Sequence, residues 1–161
     1  MGHAQDRPAC DDTGTLSGFI ACLKDQTRSP AGSSAQVCDA VPHVAMPVEG
    51  RRVLGFGDRT EHNLQSKGIV IETAAGAVVS APVSGGVLFC GGWRGYGQLV
   101  IMDAGCNVDV LISGVMTVSV ASGAHVERSA VIGKMSEFTS PDLPVLYLEV
   151  RENGAPVNPE R

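Results

Sequence analysis

Between residues 51 and 151 the sequence is a series of short apolar runs separated by turn residues. The runs are rich in Val, Ile and Leu, which favour strands, and Gly, Asn, Asp or Pro stands in most of the gaps. Successive runs begin roughly 8 to 12 residues apart, a spacing typical of an all-β barrel or sandwich. We therefore predict strands in RRVLGFG, GIVIET, AVVSAPV, GGVLFCGG, GQLVIMDA, NVDVLIS, VMTVSV, AVIGKM and LPVLYLEVR.

Residues 1–45 have a different pattern, with apolar residues at the i, i+3, i+4 and i+7 spacing of an amphipathic helix. These residues are Leu16, Phe19, Ile20 and Leu23. Thr13 or Thr15 can cap the helix, and the following RSPAGSSAQ has the composition of a turn and linker. We predict one short helix and a linker in residues 1–45, and a β domain in residues 46–161.

Composition limits the classes of partner. A chain of 161 residues with 43% hydrophobic residues can form one main domain with a core. Its 17 acidic and 12 basic residues are scattered and give a net charge of -5, so we expect no nucleic-acid partner. No run approaches the roughly 18 apolar residues of a membrane span, and MGHAQDRPAC lacks the apolar core of a signal peptide. We expect a soluble chain, either cytoplasmic or the mature part of an exported protein.

Five cysteines, at 10, 22, 38, 90 and 106, form neither a Cys-x-x-Cys pair nor a zinc-finger spacing with histidine. Cys10, Cys22 and Cys38 lie in a segment with little core of its own, where a disulfide compensates for missing burial. Two interpretations stay open: one bridge among these three cysteines, or small buried thiols in a reducing compartment. An odd total leaves at least one free thiol in either case.

Five patches between Met46 and Pro159 carry a resemblance to a known family. They are PVEGRRVLGFGDRT, SKGIVIET, APVSGGVLFCGGWRGYGQLVIMDAG, VSVASGAHVERSAVIGKM and VLYLEVRENGAPVNP. In this order they resemble the LytM or lysostaphin-like peptidase domain, a zinc-dependent cell-wall endopeptidase. SKGIV has the spacing of that family's His-x-Gly-x-Asp motif, and VLYLEVRENGAPVNP that of His-x-His-Phe-Glu-x-Arg-x-x-Gly-x-x-x-Asn-Pro. The resemblance implies a mainly β, lysostaphin-like antiparallel sandwich or barrel with a groove.

The resemblance also implies a zinc site, and every ligand position of that site is replaced in this chain. In active members the ligands are the His and Asp of the first motif and the second His of the last. Two further His positions assist the reaction. The corresponding residues here, called the vacated positions below, are Ser66, Val70, Tyr147, Val145 and Gly114. Because catalytic zinc needs about three N, O or S donors, we expect no metal, no cofactor and no catalysis.

No other residues form a catalytic centre in the sequence. The four histidines are His3, His43, His62 and His125. His62, four residues before Ser66, is either a displaced ligand or an exposed loop residue, and the polar loop DRTEHNLQSK favours the second interpretation. We expect His125 at the surface. There is no Gly-x-Ser-x-Gly elbow, and no cysteine stands beside a histidine as an activated nucleophile does.

Among LytM-like domains, the chain resembles the EnvC-like type of Gram-negative bacteria, which lacks the ligands. Such domains activate N-acetylmuramoyl-L-alanine amidases by receiving an autoinhibitory helix in the emptied groove. The resemblance therefore implies a periplasmic amidase as partner and a role in cell-wall remodelling during cell separation. The groove residues that it implies are Lys67, Trp93, Arg94, Tyr96 and Tyr147. Tyr147 can equally be a core residue, and GGWRGYG can be only a tight turn.

Other interpretations stay open. The groove can bind peptidoglycan without cutting it, with Lys67 and Arg94 pairing with its carboxylates. A lipoyl- or biotinyl-type carrier has a similar Gly-x-x-Val rhythm but needs a lysine within Met-Lys-Met, whereas Lys134 lies in GKMSE. Residues 1–45 lack the heptads of the coiled coils that precede EnvC-like domains. We expect this segment either to dock over the groove or to be tied elsewhere by a disulfide.

Overall fold

The computed structural model describes residues 16–27, 44–60, 63–92, 98–137 and 143–159. The chain divides into two units, Met1–Ala35 and Gln36–Arg161. In the described residues, the helix belongs to the first unit and the strands to the second. No helix in these ranges is long and apolar enough to cross a membrane.

The helix of the first unit, α1, spans Leu16–Thr27. Its buried side chains are Phe19, Ile20 and Leu23, which are 2%, 5% and 8% exposed. These three positions lie on one face because helical residues three or four apart are neighbours. The prediction of one short amphipathic helix is therefore confirmed. Its predicted caps, Thr13 and Thr15, lie outside the described residues.

The second unit consists of short strands joined by turns, as the apolar runs predicted. The strands in its described part are β1 (Gly50–Leu54), β2 (Ile69–Thr73), β3 (Val78–Ser80), β4 (Gly85–Gly92), β5 (Gln98–Gly105), β6 (Val108–Ser113), β7 (Thr117–Val118), β8 (His125–Val126), β9 (Val131–Lys134), β10 (Val145–Glu152) and β11 (Ala155–Val157). The predicted runs account for all of these except β8 and β11, which have two and three residues. The predicted mainly β fold is confirmed.

The strands form two antiparallel sheets. The large sheet has the order β1-β2-β10-β6-β5-β4-β8, with β11 paired to β10, and the small sheet has the order β3-β9-β7. The long strands β10, β6 and β5 therefore lie at the centre of the large sheet, where both backbone edges are hydrogen-bonded. The strand that carries SKGIV, β2, lies directly beside β10, the strand that carries VLYLEV. Motifs that are more than seventy residues apart in sequence thus meet in space.

Alternation along the central strands gives the large sheet two distinct faces. One face forms the main hydrophobic core, and its residues on β2, β5, β6 and β10 are Ile69, Ile71, Val100, Met102, Val108, Val110, Ile112, Leu146, Leu148 and Val150. Each fully buried aliphatic side chain of this kind stabilises the fold by about 1.5–3 kcal/mol. The residues between them point to the opposite face, which carries the vacated positions on β2 and β10.

The end of β10 is fixed by a tight hairpin to β11. Asn153 and Gly154 connect the strands, with φ of 53° and 83°. Two central residues with positive φ match a type I′ turn, for which Asn-Gly is strongly preferred. The carbonyl of Gly154 also accepts a hydrogen bond from the guanidinium of Arg151, 3.3 Å away. The turn therefore helps to hold a charged side chain on the face opposite the core.

Candidate functional site

A row of side chains crosses the large sheet through the vacated positions. Direct cross-strand pairing joins Leu54 to Val70, Val70 to Tyr147, Tyr147 to Ser113 and Ser113 to Leu99. Partners that face each other across antiparallel strands project to the same side of the sheet. Val70 and Tyr147, two of the predicted vacated positions, are therefore immediate neighbours.

Ser66, another predicted vacated position, is 7% exposed, and its hydrogen bonds stabilise the local backbone turn. Its hydroxyl donates to the carbonyl of Gly68 at 2.7 Å and accepts from the amide of the same residue at 3.4 Å. Its amide donates to the carbonyl of Asp58, and its carbonyl accepts from the amide of Gly57. This serine is engaged in a local turn, which is a structural role.

Tyr147 is half-buried, and its side chain is fixed by contacts within the sheet. The ring lies so close to Gly68 that a Cβ on that glycine would be 2.9 Å from the ring carbon Cζ. The hydroxyl donates to Oε1 of Glu149 at 2.6 Å. Nε of Arg151 donates to Oε2 of the same carboxylate, also at 2.6 Å. Tyr147, Glu149 and Arg151, called the β10 ladder below, form a continuous set on one face of β10.

The β10 ladder is a buried charged group whose partners are in place. Glu149 is 1% exposed and Arg151 is 6% exposed. A buried carboxylate is tolerated when its oxygens are hydrogen-bonded and its charge is paired, and here both oxygens have donors. The tyrosine hydroxyl is therefore hydrogen-bonded to an acceptor within the fold. These contacts give Glu149 and Arg151 a structural role.

Gly114 and Val145 occupy the two remaining vacated positions, and they touch through their backbones. Gly114 has a φ of 98°, which favours glycine, and any Cβ there would clash with the carbonyl oxygen of Val145. A histidine could not occupy position 114 without a shift of the backbone. Val145 is 47% exposed and has no donor atom.

These residues do not fit a catalytic zinc ion. Two of the vacated positions are valines, one is a glycine, and the hydroxyls of Ser66 and Tyr147 are already bonded to acceptors within the fold. Across the described ranges no group of three or more His, Cys, Asp or Glu could hold a metal ion. His125, the first residue of β8, is exposed, and its Nε2 lies 3.0 Å from Oε2 of Glu127 at the surface.

Exposed apolar side chains lie at or within two residues of the vacated positions. They are Leu64, Met116, Leu143 and Val145, which are 65%, 52%, 41% and 47% exposed. Val145 was predicted as a vacated position, whereas the other three were missed. Hydrophobic residues are normally assigned to the core. The sequence indicated the exposure of these three only through their place beside the vacated positions. Exposed apolar surface in a groove is typical of a binding site.

The remaining predicted groove residues divide into two groups. Lys67 is exposed, and no ion-pair partner is found for it in the described part of the chain. Trp93, Arg94 and Tyr96 lie outside the described residues, as do His3, His43 and His62. Their proposed contacts remain predictions from the sequence.

Two cysteines of the described residues, Cys22 and Cys106, are disulfide-bonded. Cys22 belongs to the predicted set, whereas the bonded Cys106 was not predicted. Cys10 and Cys38 lie outside the described residues. Cys90 is a free thiol on β4, and its sulfur lies 3.2 Å from the carbonyl oxygen of Val120.

The two antiparallel sheets, with the motif strands β2 and β10 side by side, define a lysostaphin-like peptidase fold. The chain belongs to peptidase family M23, whose model matches residues 64–159, more than half of the sequence. The matched region contains all of the vacated positions and the β10 ladder.

Two curated relatives support this assignment. The chain is 31% identical over 135 residues to an uncharacterized protein of Haemophilus influenzae, covering 83% of this chain and 33% of that protein. It is 29% identical over 114 residues to the murein hydrolase activator EnvC of Escherichia coli, covering 71% of this chain and 27% of EnvC. The chain therefore spans about a third or less of the length of these relatives.

A solved structure, that of the complex of SpoIIIAH and SpoIIQ, has the same fold. One of its chains superposes with a TM-score of 0.62 at 24% identity, covering 72% of this chain and 96% of that chain. At 24% identity this structural similarity shows that the two chains share a fold.

Proposed function

We propose that this protein is a catalytically inactive LytM-like regulator that binds and activates a peptidoglycan N-acetylmuramoyl-L-alanine amidase. The observation that carries the proposal is the state of the vacated positions. Ser66 and Tyr147 have internal hydrogen-bond partners, and Gly114 has no room for a side chain. Reverting one residue would not rebuild a zinc site, while exposed apolar residues lie at or within two residues of these positions.

The comparisons support a regulatory role. EnvC is named as a murein hydrolase activator, and the part of it that matches here is about a quarter of its length. A chain of the same fold belongs to the complex of SpoIIIAH and SpoIIQ. Both observations favour a domain that acts by contacting another protein.

Activation of this kind is a population shift. An amidase held closed by its own helix is activated only if the regulator binds the open state better than the closed one. A groove that takes a helix by its apolar face supplies such a preference, because the helix is available to the groove only after it leaves the amidase's active site. Exposed Val145 and Met116 are the apolar surface for that contact.

The proposal places the protein in the periplasm. Peptidoglycan and its amidases lie outside the cytoplasm, and disulfides persist in oxidising compartments. The bonded state of Cys22 and Cys106 supports this location.

The test mixes the purified protein with dye-labelled peptidoglycan and each periplasmic amidase of its source, with zinc present. We expect the protein to increase dye release by the amidase, and Val145→Glu to reduce that increase by at least about tenfold, as loss of an interface hot spot does. Val131→Glu is the matched control, because Val131 is 56% exposed on the small sheet, away from the vacated positions. Equal activation by both variants would contradict the proposed groove.

Non-catalytic peptidoglycan binding is the alternative outcome of the same experiment. If no amidase is activated and the protein sediments with purified sacculi, wall binding replaces amidase activation as the function. An activator that contacts only the enzyme stays in the supernatant.

A further inference from the structure

The turn between β10 and β11 contains the one Asn-Gly dipeptide of the sequence, Asn153-Gly154. Of the other asparagines, Asn63 is followed by leucine, Asn107 by valine and Asn158 by proline. A backbone amide attacks the side-chain amide of a preceding asparagine most readily when it belongs to glycine, which has no side chain to shield its nitrogen. The turn is therefore a candidate site of chemical modification.

The structure leaves this dipeptide accessible. Asn153 and Gly154 are both exposed, with φ of 53° and 83°. A Cβ added to Gly154 would meet no atom of the described residues within 4 Å, so the space beside this glycine is open. Water and base can therefore reach both the asparagine side chain and the glycine amide.

Two other asparagines have a similar backbone conformation but a different neighbour. Asn63 and Asn107 have φ of 61° and 60°. Asn107 precedes Val108, which is β-branched and 0% exposed. The side-chain oxygen of Asn63 accepts a hydrogen bond from Nη1 of Arg59 at 2.8 Å. Among the described asparagines, only Asn153 combines positive φ with an unshielded amide after it.

The turn also holds neighbouring elements in place. The amide of Asn153 donates to the carbonyl of Asn107 at 2.9 Å. The carbonyl of Gly154 accepts a hydrogen bond from Nη1 of Arg151 at 3.3 Å, and Nε of Arg151 pairs with buried Glu149 at 2.6 Å. A change in the main chain between residues 153 and 154 therefore acts on the β10 ladder.

We propose that Asn153 is a site of spontaneous deamidation and that its isoaspartate product loosens the β10–β11 hairpin. The amide nitrogen of Gly154, after losing its proton to base, attacks Cγ of Asn153 and forms a C–N bond. The bond from Cγ to the side-chain nitrogen breaks, and this nitrogen takes up a proton and leaves as ammonia. Water then opens the resulting succinimide at either carbonyl, which gives aspartate or isoaspartate.

The two products differ in their effect on the turn. Aspartate before glycine is itself favoured in a type I′ turn, so the hairpin can accept it. In isoaspartate the main chain runs through Cβ and Cγ, which adds one backbone atom to a two-residue loop. Because loop length fixes the register of a hairpin, we expect the pairing of Glu152 with Ala155 and the bond from Arg151 to Gly154 to be displaced.

The first test incubates the folded full chain at mildly alkaline pH and follows each asparagine by peptide mapping with mass spectrometry. Asn153 should deamidate at least about tenfold faster than Asn63 and Asn107, since only its neighbour leaves the amide unshielded. The rate should rise with pH, because the attacking nitrogen must lose its proton. Equal rates at the three asparagines, or deamidation of Asn153 only in urea-unfolded protein, would overturn the assignment of the site.

The second test compares melting temperatures. Asn153→Asp reproduces the aspartate product and should melt within about 2 °C of the wild type, as expected for a tolerated surface change. The fraction of aged protein that peptide mapping shows to contain isoaspartate should melt at least about 4 °C lower, because a hydrogen bond to a charged group and the hairpin register are disturbed. Equal melting temperatures of that fraction and Asn153→Asp would overturn the effect on the hairpin. Neither test involves a partner protein, so both are independent of the proposed function.

Discussion

At the scale of a single residue, Tyr147 shows a structural role at a predicted vacated position. A tyrosine at this position reaches Glu149 with its hydroxyl and covers Gly68 with its ring. The same side chain therefore fills space and satisfies a buried carboxylate. The sequence left two interpretations of Tyr147 open, groove or core, and a half-buried ring with a hydrogen bond inside the sheet is compatible with both.

Removing only the hydroxyl tests this role. Tyr147→Phe should lower the free energy of unfolding by about 1–3 kcal/mol, because Oε1 of buried Glu149 loses its donor. Urea denaturation measures the change. Glu127→Gln, which removes a carboxylate that is 77% exposed, is the control and should change stability by less than about 0.5 kcal/mol. Equal stability of wild type and Tyr147→Phe would mean that the ladder contributes nothing.

A comparison of Gly114 with Gly123 separates the cost of positive φ from the cost of a steric clash. Gly114 and Gly123 have similar φ, 98° and 90°, but only Gly114 is closely approached, by the carbonyl oxygen of Val145. Alanine at either position bears the cost of positive φ, about 1–3 kcal/mol. Gly114→Ala should be clearly the more destabilising in thermal or urea unfolding because it adds a clash. Equal losses would show that the close approach is not maintained in solution.

The element that organises the site is β10. Its alternation sends Leu146, Leu148 and Val150 into the core and the β10 ladder to the other face. Its position between β2 and β6 brings the motifs at both ends of the matched region together. A change in β10 therefore affects both the core and the opposite face of the large sheet.

The buried pair on β10 should matter far more than the exposed pair on β1. Arg151→Ala leaves Glu149 with an uncompensated buried charge and should cost about 3–5 kcal/mol. Arg51→Ala removes the ion-pair partner of Glu72. The Arg51 side chain is 77% exposed, so its loss should lower the free energy of unfolding by at most about 1 kcal/mol. Comparing the urea midpoints of the two variants checks this. Similar midpoints would contradict the assignment of the ladder as a fixed element.

Most elements were predictable because their signals are local. The strands follow from runs of Val, Ile and Leu, and α1 follows from the spacing of its apolar residues. β8 and β11 were missed because two or three residues carry no periodicity. Their pairing is decided by β4 and β10, which the local sequence does not describe.

At the scale of the whole molecule, the vacated positions were predictable only through the order of five patches along the chain. The contacts that these residues make in the folded chain were not predictable from the sequence. The clash that excludes a side chain at Gly114 and the hydroxyl bond of Tyr147 depend on strands that meet only in the folded sheet. The exposure of Leu64, Met116 and Leu143 was not predicted, because apolar residues are expected in the core.

The most direct test of the central claim is dye release from labelled peptidoglycan by the protein alone, by each periplasmic amidase alone, and by the two together, with zinc throughout. A regulator without a metal site releases no dye by itself and raises the release by at least one amidase well above that enzyme's own rate. Zinc-dependent release by the protein alone would contradict the account, because it would mean that a metal site exists despite the state of the vacated positions.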